Sequence, residues 1–237
     1  MGRTSWRWYD VPIVMAGGAF ASLVAGAVAG AVFGTAAEDA HLVFWLIIPF
    51  QNLGLIGSLV LVARMRGHRD LGTALGLVVE PRQAWWVAAG AASLVPLSLL
   101  AAALRSALGV EDESPQAIVE AALEVSGTVT MVAVAIGVGV LGPVAEELLY
   151  RGLTFRIAAR RGAPSWIAVV VSAAVFTAAH LADPTLFSPA GAVTLSALFT
   201  FGVFLGVLRV RTGGLGAPIF AHSGFNLMTL TLMYFLA

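Results

Sequence analysis

Two glutamates, two histidines and one asparagine lie in stretches of the sequence that are otherwise apolar. In chain order they are Glu146, Glu147, His180, His222 and Asn226. An ionisable side chain inside a lipid bilayer is energetically costly, so each of these residues is a functional candidate. Carboxylates and imidazoles are groups that proteins use to activate water, which makes hydrolysis the first chemistry to consider.

Hydrolysis of a peptide bond by water needs a base and an oxyanion site. A glutamate can take a proton from the attacking water, and an imidazole that shares this water can orient it and pass a proton to the leaving amine. The tetrahedral intermediate then needs hydrogen-bond donors aimed at its oxyanion. His222 and Asn226 are four residues apart, on one face of a helix, and could supply two such donors.

Each residue also has a purely structural explanation. Glu147 and Arg151 are four residues apart and could form an ion pair at a helix end. His180 could cap an outer helix end, and His222 and Asn226 could make hydrogen bonds between helices. No single residue decides between these readings, but the combination on three helices favours hydrolysis.

The composition excludes several other classes of protein. The chain has 237 residues, of which 59% are hydrophobic and 11% charged, and a soluble domain needs roughly a quarter charged. The absence of cysteine excludes disulfides, thiolate catalysis and Cys-ligated metals. The net charge of zero gives no reason to expect a nucleic-acid partner. Membrane lipid is the expected surrounding.

The chemistry-bearing residues lie on helices that are long and apolar enough to cross a bilayer, which takes about 20 residues. The sequence predicts an all-α, polytopic bundle of about seven transmembrane helices. The seven stretches are Val11–Ala36, Leu42–Ala63, Ala84–Leu108, Thr128–Leu149, Pro164–Leu181, Gly191–Leu208 and Gly216–Leu236.

Arginine placement predicts the orientation of this bundle. If the N-terminus is cytoplasmic, twelve of the thirteen arginines lie on the cytoplasmic side and only Arg105 lies opposite. We therefore expect a multi-pass protein of the cell's inner (plasma) membrane whose active site is towards the cytoplasm. Residues 1–127 would form a structural part, with three helices and an external loop from Gly109 to Ser126. Residues 128–237 would form the catalytic core.

Three motifs in the C-terminal half are similar to those of a known family. Glu146–Arg151 fits EExxxR, Phe176–His180 fits FxxxH, and His222–Asn226 fits HxxxN. In this order, on separate apolar helices, they resemble the CPBP family, which contains CAAX-processing type II endopeptidases and bacteriocin-processing or self-immunity proteins. The resemblance covers residues 133–233.

The resemblance implies roles for the matching positions. Glu146 and His180 would hold and activate the water. His222 and Asn226 would form the oxyanion site, and Glu147 would assist.

Two further residues and a possible metal follow from the same resemblance. Arg151 would brace the carboxylates from the helix end, and Phe176 would line the pocket. Members of the family have been described as metalloproteases and as glutamate-dependent proteases without metal. If zinc is bound, its ligands would be Glu146, His180 and His222. The chain has no H-E-x-x-H motif, and His222 is needed at the oxyanion, so no cofactor is favoured.

The resulting prediction is an intramembrane endopeptidase that cleaves a membrane-associated or lipidated peptide or protein. One alternative is a non-catalytic membrane scaffold or immunity protein that binds a partner. Another is a proton-coupled transporter, because embedded glutamates and histidines also form proton relays. The lack of polar residues in the first three helices and of an inverted repeat disfavours a transporter.

The depths of these residues conflict with the predicted helix ends. At 1.5 Å per residue, His180 lies roughly 24 Å from the inner end of the fifth span, and His222 roughly 9 Å from that of the seventh. Glu146 is also near the inner side. Either the fifth helix starts well below the membrane plane, or the fourth continues past Arg151 towards Arg160.

Overall fold

The computed structural model describes residues 6–33, 37–110, 128–160 and 164–236, and within them the chain is helical without any strand. This confirms the all-α prediction. The α-helices are α1 (Asp10–Phe33), α2 (Ala37–Met65), α3 (Leu71–Leu75), α4 (Trp86–Ala92), α5 (Leu94–Leu108), α6 (Thr128–Ile136), α7 (Gly142–Glu147), α8 (Phe155–Ala159), α9 (Ser165–His180), α10 (Pro189–Thr212) and α11 (Gly216–Leu236). Short 3₁₀ helices span Pro81–Trp85 and Pro184–Leu186.

A helix stands at each of the seven predicted spans. Among the described residues, five helical stretches are long and apolar enough to cross a membrane: Asp10–Val32, Ile47–Met65, Pro81–Leu108, Met131–Ala159 and Pro189–Thr212. The other two are α9, a shorter apolar helix of 16 residues, and α11, which has 21 residues. Large apolar side chains such as Leu23, 73% exposed, face outward as expected for contact with lipid. The chain is a multi-pass membrane protein.

Two predictions about organisation are not tested by this fold. Most of the predicted external loop lies in 111–127, outside the described residues. The division of the chain after residue 127 and the cytoplasmic N-terminus therefore stay predictions.

The fourth predicted span ends later than the sequence suggested. It was expected to stop at Leu149, but helical structure continues from 128 to Ala159. This is the second of the two arrangements that would reconcile the depths of His180 and Glu146. The sequence prediction was wrong at this boundary because Arg151 suggested a helix end, whereas its charge is satisfied inside the protein.

Two wide π-helical segments, Gly137–Leu141 and Leu148–Thr154, interrupt this long helix. Pro143 explains the first one. A proline inside an α-helix has no N–H to donate and clashes with the carbonyl four residues before it. A wider turn relieves this, and Gly142 N–H accordingly bonds to Gly137 O, five residues back. Such segments are frequent at functional sites.

The first two helices pack through small residues. A Cβ on Gly17 would overlap the side chain of Ser58, and one on Gly54 would overlap Ala21 and lie 3.0 Å from Gly17 O. Close approach of backbones through small residues is a common way for helices to associate in a membrane. Van der Waals contact therefore holds α1 and α2 along their length, and an ion pair between Asp10 and Arg66 joins the start of α1 to the end of α2.

Glycines also bring α4 against α11, the helix that carries His222. A Cβ on Gly90 would overlap the backbone of Ala221, and one on Gly224 would overlap that of Val87. At the start of α11, Gly216 N–H donates to Val78 O at 3.0 Å. The third span thus fixes the position of α11 in the core.

Candidate active site

A cavity of about 380 Å³ lies among α7, α9, α10 and α11. It is lined by four of the five predicted catalytic residues, Glu146, His180, His222 and Asn226, together with the predicted pocket residue Phe176. These residues come from three separate helices, so the fold brings together what is scattered over 81 positions of the sequence. The remaining wall is largely apolar.

The adjacent glutamates face different surroundings, as neighbours on a helix must. The Glu146 side chain is 29% exposed and lines the cavity. The Glu147 side chain is fully buried and does not line it. Glu147 Oε1 accepts from Arg151 Nη1 at 2.9 Å and lies 3.0 Å from His222 Nδ1. Its second oxygen, Oε2, has no hydrogen-bond partner among the described residues.

Arg151 lies inside the long helix and not at its end, contrary to the sequence expectation. The residue is fully buried. Of the two carboxylates it pairs with Glu147, and its Nη2 donates to Gly202 O at 2.9 Å. Its guanidinium carbon lies 4.8 Å from the centre of the Phe176 ring. Attraction between two buried opposite charges offsets their desolvation only when further hydrogen bonds are made. Here Gly202 O and His222 supply such bonds, while Glu147 Oε2 and Arg151 Nε have no partner among the described residues.

The contacts of His222 define which of its ring nitrogens carries a proton. Glu147 Oε1 is an acceptor, already bound to an arginine, so Nδ1 of His222 must be the donor in their 3.0 Å contact. The other nitrogen, Nε2, lies 3.7 Å from Glu146 Oε2. That distance is longer than a hydrogen bond, and a single water could contact both atoms. The edges of Phe201 and Phe176 confine the ring.

His180 is the last residue of α9 and is half-buried. Its Nδ1 lies 2.9 Å from Phe176 O, a carbonyl that can only accept, so Nδ1 carries the proton. In the neutral ring Nε2 is then an acceptor. The structural explanation considered from sequence, a histidine that bonds at a helix end, and the functional one are therefore compatible in this residue.

The position of Asn226 follows from the first π segment. Val138 O would pair with residue 142 in an α-helix, but Gly142 N–H bonds to Gly137 O instead. In the π pattern its partner would be Pro143, which has no N–H. Asn226 Nδ2 fills this gap by donating to Val138 O at 2.8 Å. This bond orients the amide and uses one of its two N–H groups.

The zinc ligands considered from sequence, Glu146, His180 and His222, line one cavity. Across the described ranges, however, no group of three or more Asp, Glu or His side chains is placed to hold a metal ion. We therefore derive no step through a metal.

Sequence reasoning missed several features of the site. Asp183, assigned to an external loop, lines the cavity three residues beyond His180. Phe201 and Phe225 stack at 4.3 Å beside His222, but aromatic residues on an apolar helix carry no signal of their own. Gly202 contributes only its carbonyl, a contact that no side-chain pattern can reveal.

Comparison with known proteins agrees with the motifs. Residues 128–228 match the family described as "Type II CAAX prenyl endopeptidase Rce1-like". This part of the chain, which holds the three motifs, is therefore similar to that family, and the match confirms the resemblance found in the sequence.

A single relative gives a shorter match. An Escherichia coli protein described as "Uncharacterized 24.3 kDa protein" is 31% identical over 96 residues, which is 40% of this chain. The chain spans 41% of the length of that relative. No solved structure matches.

Proposed function

We propose that this chain is an intramembrane endopeptidase that hydrolyses a peptide bond with a water activated by Glu146 and His180. The observation that carries the proposal is the convergence of Glu146, His180, His222 and Asn226 on one cavity of an otherwise apolar bundle. The match of residues 128–228 to the Rce1-like family of CAAX endopeptidases supports the reaction class.

Glu146 is the base in this proposal. It is the carboxylate of the adjacent pair that reaches the cavity, and it has no arginine partner among the described residues. As the water oxygen attacks the carbonyl carbon, one water proton passes to Glu146. Neutral His180 presents Nε2 as an acceptor and orients the same water.

His222 and Asn226 stabilise the oxyanion. Because Nδ1 of His222 is held by Glu147, an N–H at Nε2 requires the imidazolium form. The Glu147 and Glu146 side chains both lie beside this ring. Asn226 donates its second N–H, the first being held by Val138 O. The two donors lie one helical turn apart, as an oxyanion hole requires of neighbouring groups.

The C–N bond breaks together with a proton transfer to the leaving nitrogen. Glu146 returns its proton to the leaving nitrogen as the tetrahedral intermediate collapses, giving a carboxylic acid and an amine. The second proton of the water then passes from the acid to the amine, so the products are a carboxylate and an ammonium group. Glu147 and Arg151 do not touch substrate in this scheme. They act as positioning residues, because both are fully buried and contact the cavity-lining residues His222 and Phe176 without lining the cavity themselves.

The substrate of this enzyme is a membrane-associated or lipidated peptide or protein. The cavity wall includes Leu198, Leu230 and Met233, so it suits an apolar chain beside the scissile bond. Asp183, which the arginine placement assigns to the external side, lines this cavity, so access from the cytoplasmic side of the inner membrane stays a prediction.

The proposal is tested with purified protein in nanodiscs and a quenched fluorogenic peptide library, with and without a farnesyl group. Glu146→Gln keeps the size of the side chain and should lower kcat by at least about 10²-fold, the usual contribution of a positioned base. Glu80→Gln, a carboxylate outside the cavity, is the matched control and should leave kcat unchanged.

A chelator arm separates the two versions of the chemistry. Activity that is lost with Glu146 but survives chelation supports activation by glutamate alone. Activity lost on chelation and restored by zinc would move Glu146, His180 and His222 into a metal site. Equal turnover by wild type and Glu146→Gln would refute the proposal and favour a scaffold or immunity protein.

A further inference from the structure

A second cavity, of about 580 Å³, lies at the end of the bundle where α2, α8 and α10 end and α1 begins. It shares no lining residue with the candidate active site. Its wall contains three arginines, Arg156, Arg160 and Arg209, beside the aromatic rings of Trp6 and Phe155. We refer to it as the arginine cavity.

The three arginines have no carboxylate partner in the described part of the chain. Arg160 Nη1 donates to Trp6 O at 3.1 Å, and Arg209 Nε donates to Arg151 O at 3.4 Å. Both acceptors are neutral carbonyls. The buried Nε of Arg156 has no partner at all among the described residues.

Two of these guanidinium groups converge on one point. A Cβ placed on Gly76 would overlap Nη2 of both Arg156 and Arg209. Gly76 has φ +77°, so the absence of a side chain is required by the backbone as well. Like charges this close repel each other unless an anion lies between them.

The acidic residues at this end of the bundle do not supply that anion. Asp70 caps α3 by accepting from the backbone N–H groups of Gly72 and Thr73. The Asp10 side chain is buried and is held by Arg66, whose Nε lies 3.2 Å from it, and by the backbone N–H of Arg7 at 2.7 Å. Its charge is therefore already matched.

We propose that the arginine cavity binds the phosphate group of an anionic lipid. Guanidinium groups bind phosphate through paired N–H donors. In this chain they lie at the ends of apolar helices, which is the level of the lipid headgroups in a membrane. Basic pockets between helix ends on the cytoplasmic side are a known means of recognising lipid headgroups. Trp6 and Phe155 supply apolar contacts for the glycerol part. Free inorganic phosphate has the same chemistry and is distinguished by experiment.

The test uses delipidated full-length protein in a neutral detergent, in buffer without phosphate. Dioctanoyl phosphatidylglycerol, dioctanoyl phosphatidylcholine and inorganic phosphate are titrated while the melting temperature is followed, and native mass spectrometry counts bound lipids. We expect saturable stabilisation by phosphatidylglycerol. The double variant R156Q/R160Q should weaken its apparent affinity at least tenfold.

The matched control is Arg211→Gln. Arg211 is an exposed arginine of α10, two residues from Arg209, and lies outside the cavity. Its loss should change the affinity less than twofold. If the double variant does not fold, Arg156→Lys and Arg156→Gln are compared, and the former should retain more binding because it keeps the charge.

The outcomes separate the sources of the anion. Binding of inorganic phosphate as tight as that of phosphatidylglycerol, and equally sensitive to R156Q/R160Q, supports phosphate recognition with a soluble ligand. Equal stabilisation by phosphatidylcholine and phosphatidylglycerol, an unchanged affinity in the double variant, or no response of the wild type to either anion overturns the proposal. None of these outcomes depends on peptidase activity.

Discussion

Different forces hold the helices together in two regions of this membrane bundle, the helix pair α1–α2 and the core formed by α7 to α11. The helix pair α1–α2 meets through Gly17 and Gly54, where any side chain would overlap the partner helix. The core around α7 to α11 is joined by hydrogen bonds from side chains to carbonyls. Examples are Asn226 to Val138 O, and Arg151 to Gly202 O.

The difference teaches where rigidity is needed. Van der Waals packing fixes how closely two helices approach but leaves small rotations open. A buried hydrogen bond fixes a side chain's direction, and an unmade one leaves a desolvated group without a partner. Directional bonds therefore occur where Glu147 and His222 must be oriented, in addition to the close glycine contacts that the core shares with the α1–α2 pair.

The largest effect should come from removing one charge of the buried network. Arg151→Met leaves Glu147 as an uncompensated buried charge, which should lower the free energy of unfolding by about 3–5 kcal/mol. The double variant Glu147→Gln/Arg151→Met removes both charges and should be less destabilised than the single variant. Thermal unfolding in detergent measures both, and equal losses would contradict the buried-charge argument.

A smaller effect is expected in the helix pair. Gly54→Ala places a Cβ against Ala21 and the backbone of Gly17, so overpacking should lower stability by about 1–3 kcal/mol. Gly30→Ala is the control, because a Cβ there meets nothing within 4 Å. Peptidase turnover of Gly54→Ala at low temperature should match the wild type. A selective fall in kcat would show that this pair orients the site after all.

A buried side-chain bond joins α2 to the first π segment, and its loss tests whether the helix pair and the core are independent. Asn52 of α2 donates to Gly137 O at 3.1 Å, in the first π segment. Asn52→Leu should cost about 0.5–1.5 kcal/mol, since Gly142 N–H still satisfies that carbonyl. Asn226 donates to Val138 O, the carbonyl next to the one that Asn52 bonds, so a shift of this π segment would also move Asn226. Asn52→Leu should therefore lower kcat more than Gln51→Leu, a control at an exposed position. Equal kcat values would place Asn52 outside the catalytic network.

The sequence predicted four polar residues that line the cavity, because that follows from residue type. It could not predict the helix end after Arg151 or the π turn at Pro143, because these depend on the path of the backbone. Polar residues in apolar spans identified the cavity residues, because few other reasons place a histidine there. The end of the fourth span was wrong because the partners of Arg151, including Gly202 O, are remote in sequence. The role of Pro143 as the cause of a π turn, and hence the acceptor for Asn226, appears only when the helix is built.

The smallest expected effect concerns His68, in the turn after α2, which stacks on Trp6 at 4.6 Å. Burial, followed by the positive charges of Arg160 and Arg156, lowers the pKa of His68 below its usual value of 6.5, while Asp10 acts in the opposite direction.

The sign of the pH effect follows from this shift. As the pH falls below about 6.5, the unfolded chain binds the proton before the folded protein does, so acidification lowers stability, and above that pH the residue has no effect. Between pH 7.5 and 5.5, in buffer without phosphate, the melting temperature of the wild type should fall by about one degree more than that of His68→Gln. Parallel curves would mean that His68 titrates alike in both states. A steeper fall of the melting temperature for His68→Gln would mean that the charges around His68 are mainly negative. It would contradict the excess of positive charge described here for this turn.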